Sequence, residues 1–176
     1  GWIDYINPQI YFPFNNRAAA FEILLEWWEK HTYGRHFYVG HGAYRVTEKR
    51  PGWTDKGQIP KQVRHLRDQH EVQGSIYFSS KSLMDNLAGL RDSMQYDLYR
   101  YKALPPTMTW IDSIPPQSPY GLQAHVSSNR KSTTLVWQKP NDEQIYGYII
   151  YRFEKGENVN TANAERILQI SYDDSY

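Results

Sequence analysis

Three times in the first hundred residues an apolar run of strand type ends in tyrosines and small polar groups, and each time a stretch of helical period follows. The strands are predicted over Ile3–Tyr11, Phe37–Tyr44 and Val72–Ser79. After Asn15 and Asn16, which suit a helix cap, Ala20, Ile23, Leu24 and Trp27 keep the i, i+3, i+4, i+7 spacing, while Glu22, Glu26, Glu29 and Lys30 fall opposite. Ile59, Val63 and Leu66 form a second stripe, with Pro60 near its first turn, where a missing amide hydrogen costs little. Leu83, Leu87, Leu90, Met94 and Leu98 form a third, weakened by Gly89 but long enough to survive it. Stripes of this kind are sheet-packing faces rather than ligand sites. Repeated strand-then-helix order predicts an α/β fold of βαβ units, because parallel neighbours need a crossover connection and helices supply it. Such sheets carry their chemistry at the carboxyl ends of the strands, which here hold Gln9, Tyr11, Tyr44, Tyr77 and Ser79.

The pattern changes at residue 104. Five prolines fall in the sixteen residues 104–119, which helices and central strands reject, so this stretch is predicted to be a linker between a domain of residues 1–103 and a second of residues 120–176. In the second, runs of strand type occupy Leu122–Val126, Thr133–Trp137, Tyr146–Phe153 and Arg166–Tyr172, separated by polar turns at Asn129–Lys131 and Pro140–Glu143. Short strands at about ten-residue spacing, with no helical pattern between them, predict a β-sandwich.

Composition adds limits more than direction. The 176 residues carry twenty basic and nineteen acidic side chains, so no global field selects nucleic acid or an acidic membrane as partner. The absence of cysteine excludes disulfides and thiolate metal sites. No apolar run approaches the ~20 residues that span a bilayer, and no secretion signal opens the chain, which begins abruptly, as a piece of a longer protein would. Aromatic content is the outlier: fifteen Tyr and six Trp with low hydropathy favour a surface that meets rigid polar ligands such as sugars or peptides, although half-buried rings would give the same count.

Gln9 and Tyr11 share one side of the first strand by its period of two, Tyr44 occupies the matching level on the second, and Tyr77 and Ser79 on the third. Trp53, in a polar loop with Pro51 and Gly52, is the candidate for stacking against a pyranose; an indole folded back over a helix is the competing reading. Between Arg45 and Arg67 seven basic residues face two acidic ones, an excess that suits an anionic glycan or a merely solvated surface. Gly40-His41-Gly42 begins like a dinucleotide fingerprint, but Arg45 stands where the third glycine belongs. No two of the six histidines sit four apart on a helix, so neither a metal nor a cofactor is implied; His41, near the rim, is counted with the substrate contacts. Ser79-Ser80 lacks the glycine-flanked turn of a nucleophile elbow, and Ser80 is predicted to cap a helix.

Pro119-Tyr-Gly-Leu122, Thr133-Thr-Leu-Val-Trp137 and Ile145-Tyr-Gly-Tyr-Ile-Ile-Tyr-Arg152 resemble the first three strands of a fibronectin type III domain, with Trp137 at its buried tryptophan and Tyr148–Tyr151 in its tyrosine-rich third strand. Such a domain has seven strands, and Asp173–Tyr176 falls where later ones should still be coming. Residues 2–110 are similar to the carboxyl-terminal part of the glycosyl-hydrolase-like family ten barrels, bacterial envelope proteins with a (β/α)8 fold and a trailing sandwich domain. The matching residues are Trp2-Ile-Asp-Tyr-Ile with Pro8-Gln-Ile-Tyr11, Trp27-Trp28, Tyr38-Val-Gly-His-Gly-Ala-Tyr-Arg-Val46, Val72–Leu83, and Ala103-Leu-Pro-Pro with Trp110.

The resemblance implies a partial TIM barrel, its last three βα units with parallel strands, followed by an incomplete fibronectin-like sandwich. It implies a polysaccharide substrate, with peptidoglycan glycan strands first, and a place in the bacterial cell envelope, periplasmic or surface-exposed. Glycoside cleavage generally takes two carboxyl groups about 5–10 Å apart. No Asp or Glu closes any of the three strands, Asp4 lies near a strand beginning, and Glu48 and Asp55 read as solvated loop charges. The acid and base are therefore expected on strands outside this chain. The alternative is a non-catalytic glycan-binding or adhesion module. Three parallel strands cannot close a barrel, so this chain is expected to self-associate.

Overall fold

The computed structural model describes residues 2–141 and 145–172; part of the turn expected at Pro140–Glu143, and the terminal Asp173–Tyr176, lie outside the described residues. The chain divides into two compact units, one reaching to Arg100 and including Pro106–Met108, the other holding Tyr101–Pro105 and the residues from Thr109.

The first unit is a mixed α/β layer. Strands β1 (Tyr5–Ile6), β2 (His36–Gly42) and β3 (Val72–Phe78) form a parallel sheet in the order β1-β2-β3. Helix α1 (Phe21–Glu29) lies in the first crossover and α2 (Gln58–Leu66) in the second. β1 is far shorter than the run Ile3–Tyr11 predicts: Pro8 supplies no amide hydrogen, and pairing resumes through the isolated bridge of Gln9 to Gly40. β2 stops at Gly42 because Ala43–Thr47 tightens into a 3-10 turn, so Tyr44 belongs to that turn and not to the strand.

Register decides which side chains meet the helices. Phe37 and Val39 of β2 pack with Ile10, Phe21, Leu25 and Leu66, and Ile6 and Val72 border that cluster. A second cluster joins Val46, Trp53, Ile59, Val63, Leu90 and Met94. The stripe Ile59, Val63, Leu66 is buried as its period implies. The stripe expected on α1 is rotated by one position. Phe21 and Leu25 are buried, whereas Ile23 is 63% and Trp27 52% exposed. The helix begins at Phe21, and Asn16 caps the preceding turn by accepting from the amides of Ala18 and Ala19 at 3.1 Å.

The third helical stripe is not one helix. α3 (Ser80–Met84) is followed by a 3-10 turn at Leu87–Gly89, by α4 (Leu90–Ser93) and by a π turn at Met94–Leu98. Asn86, Ala88 and Gly89 all take positive φ, which breaks the axis, yet Leu90, Met94 and Leu98 still reach the core. Ser79, not Ser80, holds the N-cap position of α3, and its side chain makes no capping bond.

The second unit holds two small antiparallel sheets. β4 (Tyr120–Val126) pairs with β5 (Thr133–Gln138), and β6 (Tyr148–Tyr151) with β7 (Ile167–Ser171). Trp137 is buried and meets Tyr148 edge-on, ring centroids 5.1 Å apart.

Candidate functional site

Residues alternate across a strand, so the sheet face turned away from the helices carries Tyr38, Gly40 and Gly42 of β2 with Gly74, Ile76 and Phe78 of β3. Gly42 and Gly74 are spacers for rings, whereas Gly40 makes room for the Pro8 carbonyl and Asn7. A Cβ at Gly42 would lie 3.1 Å from the Tyr11 ring, and one at Gly74 would lie 3.2 Å from the Tyr38 ring. Tyr11 is thereby laid against the carboxyl end of the sheet, where its ring centroid is 6.4 Å from that of Phe78, stacked, and 6.3 Å from that of Tyr44, edge-on. Tyr44 meets Phe78 edge-on at 6.3 Å, which closes a three-ring rim. Phe78 is 58% and Tyr44 38% exposed, so the rim presents apolar faces to solvent. Partial burial, with Tyr44 nearby, pushes the Tyr11 phenol above its ordinary range, while Arg45 opposes the shift.

Arg45 anchors this rim from below. Its guanidinium carbon lies 5.4 Å from the Tyr44 ring centroid and 5.9 Å from that of Trp53, and Nη1 donates to Glu48 Oε2 at 3.2 Å. Arg50 lies 3.8 Å from the same carboxylate. Asp55 accepts from the Gly57 amide at 2.9 Å and from Lys61 Nζ at 2.6 Å, contacts that hold its carboxyl below the usual range. Both loop carboxylates are therefore engaged in holding structure.

The sequence-predicted contacts separate into two groups. Tyr11 and Tyr44 meet at the rim, and Gln9 is exposed on the segment that leads to it. The others face elsewhere. Trp53 is 3% exposed and packed in the core, so the open stacking surface expected of it is absent and the folded-back reading holds. His41 is 1% exposed, stacked on Phe21 and Tyr77, and its Nδ1 and Nε2 lie 3.1 Å from Gln62 Oε1 and Ser75 Oγ. Burial lowers the imidazole to about 4 despite the Gln62 bond, so His41 is neutral at physiological pH. Tyr77 points to the helix side with His41, its hydroxyl 2.8 Å from that of Tyr99, and burial with the Tyr99 contact pushes the phenol well up. Ser79 turns the chain into α3.

Two rim residues escaped the sequence reading, Phe78 and Arg45. Alternation with Tyr77 puts Phe78 on the opposite face of β3, and the pairing of Gly42 with Phe78, which the sequence alone does not fix, sets it beside Tyr11. Among the described residues no group of three or more His, Cys, Asp or Glu is placed to hold a metal ion, and no helix is long and apolar enough to cross a membrane.

No family model matches the chain, and no solved structure matches it. Curated relatives do. The chain is 39% identical over 160 residues to glycosyl hydrolase YngK of Bacillus subtilis, an alignment covering 88% of this chain and 31% of that protein. It is also 39% identical over 87 residues to glycosyl hydrolase DigH of Escherichia coli K12, covering 44% of this chain and 20% of that protein. These relatives support a glycosyl-hydrolase-like family. The chain thus spans about a third of one relative and a fifth of the other.

Proposed function

We propose that this chain is the closing part of a bacterial cell-envelope glycoside hydrolase, in which residues 1–103 complete a family ten (β/α)8 barrel and residues 120–176 begin a fibronectin type III-like domain beyond the linker 104–119. In this reading the chain contributes substrate contact, and the acid and base come from strands elsewhere in the same polypeptide. The observation that carries it is the three-ring rim at the carboxyl end of a parallel sheet, where such folds place their sites. Aromatic faces with hydroxyls at their edges suit the C–H faces and polar rims of sugars. The relatives named glycosyl hydrolase support the same class of substrate, a polysaccharide, with peptidoglycan glycan strands the first to try.

A second reading, a glycan-binding module without catalysis, is favoured by the engagement of Glu48 and Asp55 in ion pairs. Turnover by the full polypeptide separates the two. The enzyme reading expects Tyr44→Ala to raise KM for glycan several-fold with little change in kcat, and substitution of carboxylates on the preceding strands to abolish hydrolysis. Glycan hydrolysis that survives loss of those carboxylates contradicts it. On its own this chain leaves Ile76 and Phe78 uncovered, and self-association is the expected response; a monomer by light scattering across a hundredfold dilution from a concentrated stock contradicts that expectation.

A further inference from the structure

Behind the rim lies a separate cleft of 420 Å³, lined in part by Thr47, Glu48, Lys49, Trp53, Thr54 and Lys56. Its size falls within the range of about 300–1,000 Å³ of small-molecule sites. Its apolar side is lined by Ala88 with the nearly buried Val46 and Trp53 beneath, 2% and 3% exposed. Its polar side is unbalanced in charge. Glu48, the carboxylate that lines it, is already held by Arg45 and Arg50, while Lys49 and Lys56 form no ion pair among the described residues. The exposed Thr54 adds a hydroxyl to the same lining. Two uncompensated ammonium groups in this lining form a local positive potential that a neutral sugar does not use. Arg45 links cleft and rim, since it touches Tyr44 on one side and Trp53 and Glu48 on the other.

We propose that this cleft is a second subsite, taking a sugar unit that carries an oxyanion next to the unit stacked on the rim, with Lys49 and Lys56 as its charge partners. The proposal rests on the glycan reading of the rim and adds the charge of the ligand to it. The shared chemistry is a saccharide oxyanion, whether a carboxylate or a sulfate ester.

The test measures binding of neutral dextran, dextran sulfate, polygalacturonate and fully methyl-esterified polygalacturonan to the chain, its K49Q/K56Q variant and a control, Lys30→Gln, far from the cleft in sequence and already paired with Glu26. Two exposed ion pairs at about 0.2–1 kcal/mol each correspond to an anionic preference of about twofold to thirtyfold. The expected result is tighter binding of at least one anionic polymer than of its neutral counterpart, a preference lost in K49Q/K56Q, kept in Lys30→Gln and narrowed by salt. The polymer that shows it identifies carboxylate or sulfate. Equal binding of charged and neutral forms overturns the inference and leaves the rim reading standing, as does equal loss in the control variant, which would mark nonspecific charge. Failure of every polymer to bind overturns both.

Discussion

The two units spend their aromatic residues differently. In the first, Phe21 and Phe37 are fully buried beneath a helix-covered parallel sheet while Tyr11, Tyr44 and Phe78 are gathered at its open end. In the second, Trp137 and Ile150 are the buried hydrophobic residues among those described, and Leu122 is 68% and Val136 40% exposed. A parallel sheet with helices on one face has a core of its own, whereas two-stranded antiparallel sheets bury little until further strands join them. Stability and a candidate site therefore belong to the first unit.

That contrast is open to attack. The largest effect expected is from Phe37→Ala, which leaves a cavity in the first core and should cost about 3–5 kcal/mol in denaturant unfolding, against about 0.5 kcal/mol or less for Leu122→Ala in the second unit. Comparable losses at the two positions would erase the distinction. Next comes acid. His41 is lowered from 6.5 to about 4, so between those values the unfolded chain binds a proton that the folded one refuses. Stability from this group is whole above pH 6.5, falls as pH falls and is gone below about 4, a loss of about 3 kcal/mol read from unfolding of the first unit at each pH. His41→Gln should flatten that slope, and hydrogen exchange in the second unit should not follow it.

Smaller effects sharpen the picture at the rim. Gly42→Ala brings a Cβ to 3.1 Å from the Tyr11 ring and 3.2 Å from Arg45 Cδ, and should cost about 1–2 kcal/mol while weakening glycan binding. Smallest are the partly exposed ion pairs, where Asp55→Asn in the first unit and Glu157→Gln in the second should each change stability by about 1 kcal/mol or less in thermal unfolding. A large loss from either would mean that charge, not burial, holds that unit.

The strand-and-helix order, the parallel pairing and the four strands of the second unit were legible because hydrophobic period reports them directly. The facing of the rim was not. Strands with apolar residues on both faces leave the choice between Tyr77 and Phe78 to register, and only the pairing of His41 with Tyr77 and of Gly42 with Phe78 decides it. On α1, Ile23 and Trp27 lie across the helix from Phe21 and Leu25 and are as apolar, so the period fixed a helix but not its rotation. Trp53 illustrates the same limit in a loop: polar neighbours in sequence did not keep the indole in solvent, because Ala43, Val46 and Ile59 converge on it from other elements. The break between α3 and α4 arises from positive φ at Asn86, Ala88 and Gly89, of which the glycine alone was a visible signal.

The rim's role as a sugar-contact surface is tested most directly by titrating the isotopically labelled chain with a neutral oligosaccharide and following its aromatic resonances. Saturable shifts are expected at Tyr11, Tyr44 and Phe78, lost on Phe78→Ala, with the other exposed aromatic group at Trp27, His31 and Tyr33 unmoved. Shifts confined to that second group, or to the Trp137–Tyr148 pair, would contradict it.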